Sequence, residues 1–153
     1  MQVIKIKKQY KQILLVTVVI IYVSVFFIVS FKYINANRYC EIDNFEKNIS
    51  AKSGQSILVN TRVKNKMYYV MSSKDHYFIS YHLYNENDVL LQFDNLRTNI
   101  ENIEPGREKD IGVQIKVPVA KGKYKVKFDI VKEGEYWFGD RGENAGILYL
   151  VVD

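Results

Sequence analysis

The sequence predicts an all-β fold, a two-sheet sandwich of about seven strands, preceded by one membrane-spanning helix. Three observations carry this prediction. An uncharged apolar run occupies Ile13 to Phe31. From Phe45 onward the apolar residues recur with period two rather than 3.6. Clusters of turn-forming residues separate these alternating runs at the intervals a sandwich needs.

The apolar run has 19 residues and contains no charged residue, glycine or proline. At 1.5 Å per residue it spans about 28 Å as a helix, close to the hydrocarbon thickness of a bilayer. A soluble helix of that length must turn a polar face to water. Thr17, Tyr22, Ser24 and Ser30 are too few and too mild to form one. Lys5, Lys7, Lys8 and Lys11 precede the run, whereas only Lys32 and Arg38 follow it closely. Basic flanks are retained on the cytoplasmic side, so residues 1–12 are expected in the cytoplasm and the remainder outside it. A cleaved signal peptide has the same order of parts. The run exceeds the usual apolar region of such peptides, however, and no A-x-A-like site follows it. Either reading exports the C-terminal domain. Residues 32–43 read as a tether, and residues 44–153 as the domain.

Within the domain, Ile57, Val59, Thr61 and Val63 alternate with polar or mixed residues. So do Ile79, Tyr81 and Leu83; Val89, Leu91 and Phe93; and Ile111, Val113, Ile115 and Val117. Tyr124, Val126, Phe128 and Ile130 alternate with Lys123, Lys125, Lys127 and Asp129, and Leu148, Leu150 and Val152 close the chain. One apolar and one polar face per run is the pattern of antiparallel strands covering a core on one side. Lys52-Ser-Gly-Gln55, Asn85-Glu-Asn-Asp88, Glu104-Pro-Gly106 and Ala120-Lys-Gly122 supply the turns. Tyr124 follows a glycine turn at the start of the best strand. It resembles the tyrosine corner of immunoglobulin-like sandwiches; the alternative is a plain core tyrosine.

The formal charge of the chain is +5. Residues 1–40 carry six basic side chains and no acid, which leaves the domain close to −1. The basic balance therefore belongs to the helix and its flanks, and a nucleic-acid partner is excluded. The single cysteine, Cys40, allows no internal disulfide and follows Asn37, Arg38 and Tyr39 rather than the small residues that lipidation wants. It reads as a plain unpaired thiol.

Several segments together resemble a bacterial Ig-like accessory module of the kind found beside glycosyltransferases and surface-polysaccharide proteins. They are Ile79-Ser-Tyr-His-Leu-Tyr-Asn-Glu-Asn-Asp88, Phe93-Asp-Asn-Leu-Arg-Thr98, Glu104-Pro-Gly106, Gly122-Lys-Tyr124, and Phe128-Asp-Ile-Val-Lys-Glu-Gly134 with Trp137-Phe138. The resemblance covers roughly residues 56 to 152. It implies an immunoglobulin-like sandwich, an envelope-glycan connection and no catalysis of its own.

The residues agree with that last point. His76 and His82 are the only histidines, too few for a zinc site, so no metal or cofactor is expected. No phosphate loop, nucleophile elbow or HExxH motif occurs. Asp140 and Glu143 read as ordinary loop acids rather than an acid–base pair. The densest chemistry lies in Glu133-Gly-Glu-Tyr-Trp-Phe-Gly-Asp-Arg-Gly142, which contains the only tryptophan. An aromatic face with acids and arginine beside it suits a sugar or a protein interface. Tyr136, Trp137, Asp140 and Arg141 are therefore the candidate contact residues, with Arg97 of the Leu-Arg-Thr motif as a fifth. The alternative is that Trp137 and Phe138 plug one end of the sandwich. Lys123, Lys125 and Lys127 form a second candidate surface or, on the simpler reading, a guard against edge aggregation; Tyr68, Tyr69 and Tyr77 are open to two readings, a partner contact or a rim. The expected function is a non-catalytic module, held outside the cytoplasm by residues 13–31, that binds an envelope glycan or a glycan-related protein. The alternative is a structural or assembly subunit of an envelope membrane complex.

Overall fold

The computed structural model describes residues 2–35, 39–143 and 145–153. It divides into two units, residues 1–36 and 37–153. The first unit is one helix, α1 (Gln2–Asn35). Its described side chains, Lys11 and those of residues 13–28, are all exposed. Thr17 Oγ1 donates back to the carbonyl of Ile13 at 2.9 Å, so one of the few polar groups in the run is satisfied within the helix.

Among the described residues no helix is long and apolar enough to cross a membrane. The expected spanning helix over residues 13–31 is corrected to a single N-terminal helix. The tether expected over residues 32–43 also differs. Helix continues to Asn35, residues 36–38 lie outside the described ones, and strand begins at Cys40. Cys40 and Ile42 are buried, which ties this segment into the domain.

The second unit is a two-sheet sandwich. One sheet has three strands in the order β1 (Cys40–Asn44), β3 (Ser56–Asn65) and β7 (Glu108–Lys116), all antiparallel. The other runs β2 (Asn48–Ala51), β10 (Ile147–Val152), β8 (Gly122–Lys132), β4 (Tyr77–Asn85) and β5 (Leu90–Gln92). Two short strands extend it: β6 (Thr98–Asn99) pairs with β4, and β9 (Tyr136–Trp137) pairs with β8. Only β2 against β10 is parallel among the described pairs.

The core lies where the period-two pattern put it in β3, β4, β7, β8 and β10, but not at Val89, Leu91 and Phe93, which are exposed. Val59 and Val63 of β3 and Val113 and Ile115 of β7 face Ile79 and Tyr81 of β4, Val126, Phe128 and Ile130 of β8, and Leu148 and Leu150 of β10. Strands rich in β-branched and aromatic residues fit a pleated surface buried on one side. Two buried hydroxyls are satisfied within this core: Thr61 Oγ1 donates to the Ile111 carbonyl at 3.0 Å, and the Lys116 amide donates to Tyr81 Oη at 3.0 Å. Tyr124 forms the corner: its hydroxyl donates to the Ala120 carbonyl at 2.8 Å, pinning the turn before β8. Gly122 in that turn has φ of 149°, a conformation side chains rarely adopt.

Candidate functional site: the outer face of the large sheet

The outward residues of β4 and β8 are Ser80, His82, Lys127 and Asp129, paired across the strands as Ser80 with Asp129 and His82 with Lys127. Alternation alone makes these solvent-facing. Instead Ser80, His82 and Asp129 are buried, because two loops fold over this half of the face. One is residues 93–97; the other is residues 133–141.

Asp129 is the anchor of the second loop. Its carboxylate accepts from the Gly139 amide at 3.0 Å on each oxygen, and Oδ1 also accepts from the Ile130 amide at 2.7 Å. Its Oδ2 lies 3.3 Å from His82 Nε2, an ion pair when the ring is protonated. His82 Nδ1 meets the Phe93 carbonyl, so the same imidazole joins the strand to the first loop. Above it the rings assemble. Phe93 stacks on His82 with centroids 4.4 Å apart, and Trp137 sits 4.7 Å from His82 and 5.2 Å from Phe93.

Arg97 closes the layer. Its guanidinium lies 4.9 Å from the centre of the Trp137 ring. Its Nε donates to Glu133 at 2.8 Å, and Nη1 donates to the Asn95 carbonyl at 2.9 Å, to Ser80 Oγ at 3.3 Å and to Asp94. The Glu133 carboxylate beside it, then Asp94, hold the guanidinium more firmly charged than usual. Arg97 therefore ties both loops to each other and to the sheet. Planar, multi-donor geometry is what makes arginine suited to this task.

The five residues proposed from sequence thus separate into two pairs and one exposed acid. Arg97 and Trp137 meet in the cladding layer, where Trp137 is half-buried. Tyr136 and Arg141 meet at one end of the sandwich, with the guanidinium carbon 3.3 Å from the centre of the Tyr136 ring. Asp140 stands exposed in the short 3-10 turn Gly139–Arg141. At that end Phe138 is fully buried among Tyr39, Tyr77 and Tyr136, with centroids 5.3 to 6.0 Å away. Glu143, read from sequence as a loop acid, is buried there and accepts from the amides of Tyr39 and Cys40 at 3.2 and 3.3 Å.

Burial of this end shifts its acids in one direction. Desolvation, then the hydroxyl of Tyr69 at 3.3 Å, pushes the Tyr77 phenol well above its ordinary value of 10.0. Burial also raises Tyr136, and it raises Cys40 with the Glu143 carboxylate adding to the effect. A weak acid whose folded value is raised stabilises the fold below its unfolded value and loses that contribution as pH climbs above it. The melting temperature is therefore expected to fall as pH rises past about 10, the unperturbed phenol value. Melts between pH 8 and 11 check this. Tyr77→Phe should flatten the decline, and an unchanged slope would count against the assignment.

Among the described residues of this unit, none covers the β2–β10 half of the same face. β10 reads Ile-Leu-Tyr-Leu-Val-Val, with no polar residue. Such a run usually marks a strand buried on both faces. Here the inward Leu148, Leu150 and Val152 are buried, whereas outward Tyr149 is 53% exposed and Ile147 and Val151 are each 38% exposed. Pairing places Asn48, Tyr149, Lys125 and Tyr84 in one row across β2, β10, β8 and β4. A groove of about 390 Å³ lies along this face, lined among others by Asn48, Asn85, Glu86, Asp88, Lys123 and Tyr149. The sequence reading missed it. Its one signal was the unbroken apolarity of β10, visible but open to a core interpretation.

No protein-family model and no curated protein matches the chain. Solved structures do. The CARDB domain of a Pyrococcus furiosus protein shares 15% identity over 74% of this chain and 92% of its own, with a TM-score of 0.42. The sporulation control protein Spo0M of Bacillus subtilis shares 12% over 75% of this chain and 49% of its own, TM-score 0.48. A β-glucosidase from Listeria innocua shares 13% over 74% of this chain and 16% of its own, TM-score 0.48. At these identities the likeness is one of fold alone.

Proposed function

We propose that this chain is a non-catalytic binding module, displayed outside the cytoplasm, whose target is an envelope glycan or a glycan-related protein. The observation that carries the binding part is the bare half-face. The same sheet is clad over β4 and β8 by two loops locked with Arg97 and Asp129, and left open over β10, where the exposed residues are aromatic and aliphatic. Leaving such residues in water costs free energy that a bound partner recovers.

Placement outside the cytoplasm is supported by the uncharged run of residues 13–31 and the four lysines before it, the order of parts of an export signal. Protease added to intact cells should digest the sandwich. A sandwich that intact cells protect from the protease would overturn this part. For the binding part, a photo-cross-linking residue at Val151 should capture a partner, glycan or protein, in intact membranes. The same residue at Lys74, on the other end of the sheet, should not.

A second reading, a structural or assembly subunit of an envelope complex, draws on a different surface. Val89, Leu90, Leu91, Leu96 and Val119 are all exposed at and beside the edge strand β5. An exposed apolar edge is a template for strand addition. Purification in mild detergent separates the two readings: an assembly subunit should bring stoichiometric partners that a Leu91→Lys variant loses.

A further inference from the structure

The groove on the bare half-face has the chemistry of a sugar site. A pyranose ring has an apolar C–H face and an equatorial belt of hydroxyls. Its site therefore needs an exposed aromatic plane, with donors and acceptors placed around the plane rather than on it. Tyr149 supplies the plane, and among the rings lining this groove it is the exposed one, because Tyr124 is turned into the sandwich corner. On one side of it, in register, stands the exposed amide of Asn48. On the other stand Lys125 and Lys123, and at the far end the turn acids Glu86 and Asp88.

The charges balance. Two ammonium groups and two carboxylates line the groove, and Asp88 is already paired with Lys125. Lys125 is further fixed by the Tyr84 ring, 4.9 Å from its Nζ. A strongly anionic or cationic ligand would meet a like charge at one end. A neutral polyhydroxylated ligand meets an acceptor or donor at each. Size agrees: the four-strand row is about 14 Å across at the usual strand spacing, and about 390 Å³ lies in the range of small-molecule sites. Two larger grooves elsewhere, about 660 and 500 Å³, lack the plane, since the rings in them, Phe78 and Tyr81, are half-buried and buried.

Resting on the binding-module reading, we infer that the outer face of β10 is a glycan site: Tyr149 stacks on a neutral pyranose unit, while Asn48, Lys123 and Glu86 address its hydroxyls. The platform sits on regular strands, so it is preorganised and pays little to order itself on binding. Recognition of a short neutral oligosaccharide by one ring and a few polar groups is expected to be weak and fast.

The test uses the full chain in detergent micelles and three probes: cellotetraose, maltotetraose and the tetramer of N-acetylglucosamine. Titration calorimetry should show saturable binding of at least one. Tyr149→Ala should weaken it at least tenfold, Tyr149→Phe should retain it, and Lys74→Ala should leave it unchanged. Melting temperature shows whether each variant is folded, and Asn48→Ala gives a second arm that leaves the ring in place and should weaken binding severalfold. Binding that survives both Tyr149→Ala and Asn48→Ala would overturn the site while leaving the module reading intact. If no probe binds but the cross-linker at Val151 captures a protein, the glycan inference falls and the module reading stands. If neither sugar nor protein is captured, both fall.

Discussion

An Asp129→Ala variant is expected to lose roughly 3 kcal/mol of stability or more, at the level measured when one member of a buried charged network is removed. The size follows from what the carboxylate holds. It is the shared acceptor for the Gly139 and Ile130 amides and for His82. Deleting it leaves buried donors with no partner, and each such group carries its own desolvation cost of about 1–3 kcal/mol. The loss should also be local before it is global. The 133–141 loop is pinned to the sheet through Gly139, and any side chain at Gly139 would run into the Asp129 carboxylate. Urea unfolding followed by the emission of Trp137, the only tryptophan, reads both effects. The midpoint should fall, and the native emission should shift to the red as the ring loses His82 and the loop lifts. Asp129→Asn, which keeps an acceptor of the same shape, should recover part of the midpoint. An unchanged midpoint in Asp129→Ala would show that the loop is held by Arg97 alone.

Asp129 also marks where the sequence stops being informative. In β8 it falls among Lys123, Lys125 and Lys127 on what alternation identifies as the polar face. Period two correctly assigns the face but not what covers it. His82 illustrates the same limit: alternation sets it opposite Ile79, Tyr81 and Leu83, yet it is buried. Cladding by a loop is a long-range event, with 47 positions separating His82 from Asp129 and 36 separating Arg97 from Glu133. No local pattern encodes such pairings. The inward residues of β3, β4, β7, β8 and β10 were legible because burial on one face imposes a strict period. The short strands β1, β2, β6 and β9 were not, because two to five residues cannot display one.

The site residues divide on the same principle. Composition drew attention to residues 133–142 because aromatic, glycine and charge coincide there. Much of that density turns out to be structural: Trp137 backs His82, and Phe138 fills the end of the core. Tyr149 drew none, because an aromatic in an apolar strand looks like core. What distinguishes the two cases is whether another segment crosses over the residue. That is a property of topology: β10 lies next to the edge strand β2, beyond the reach of the two covering loops. The end of the sheet that stays open is therefore set by strand order, which the alternating pattern does not contain.

The second large effect is expected at Phe138. Its ring is fully buried, and truncation of such a ring to alanine costs about 3–5 kcal/mol through lost transfer energy and the cavity left behind. Two features place this site at the upper end. The walls of the cavity are Tyr39, Tyr77 and Tyr136, whose rings pack at angles that leave them little freedom to collapse inward. The Phe138 carbonyl also accepts from the amides of Arg141 at 2.9 Å and Glu143 at 3.3 Å, so a shift of this residue is passed directly to Glu143. Glu143 in turn accepts from the amides of Tyr39, just before β1, and of Cys40, its first residue. Phe138→Ala should therefore loosen β1 itself, and Cys40 reports it. That thiol is buried, with its ionisation pushed up by desolvation and by Glu143, so it should resist a maleimide in the native chain. In Phe138→Ala, labelling at Cys40 should accelerate at least tenfold under conditions where the sandwich is still folded. Phe138→Leu, which refills most of the space, should restore protection. If Cys40 stays protected in the alanine variant while the midpoint falls, the cavity acts on stability alone. The path from Phe138 through Glu143 to β1 would then be disproved.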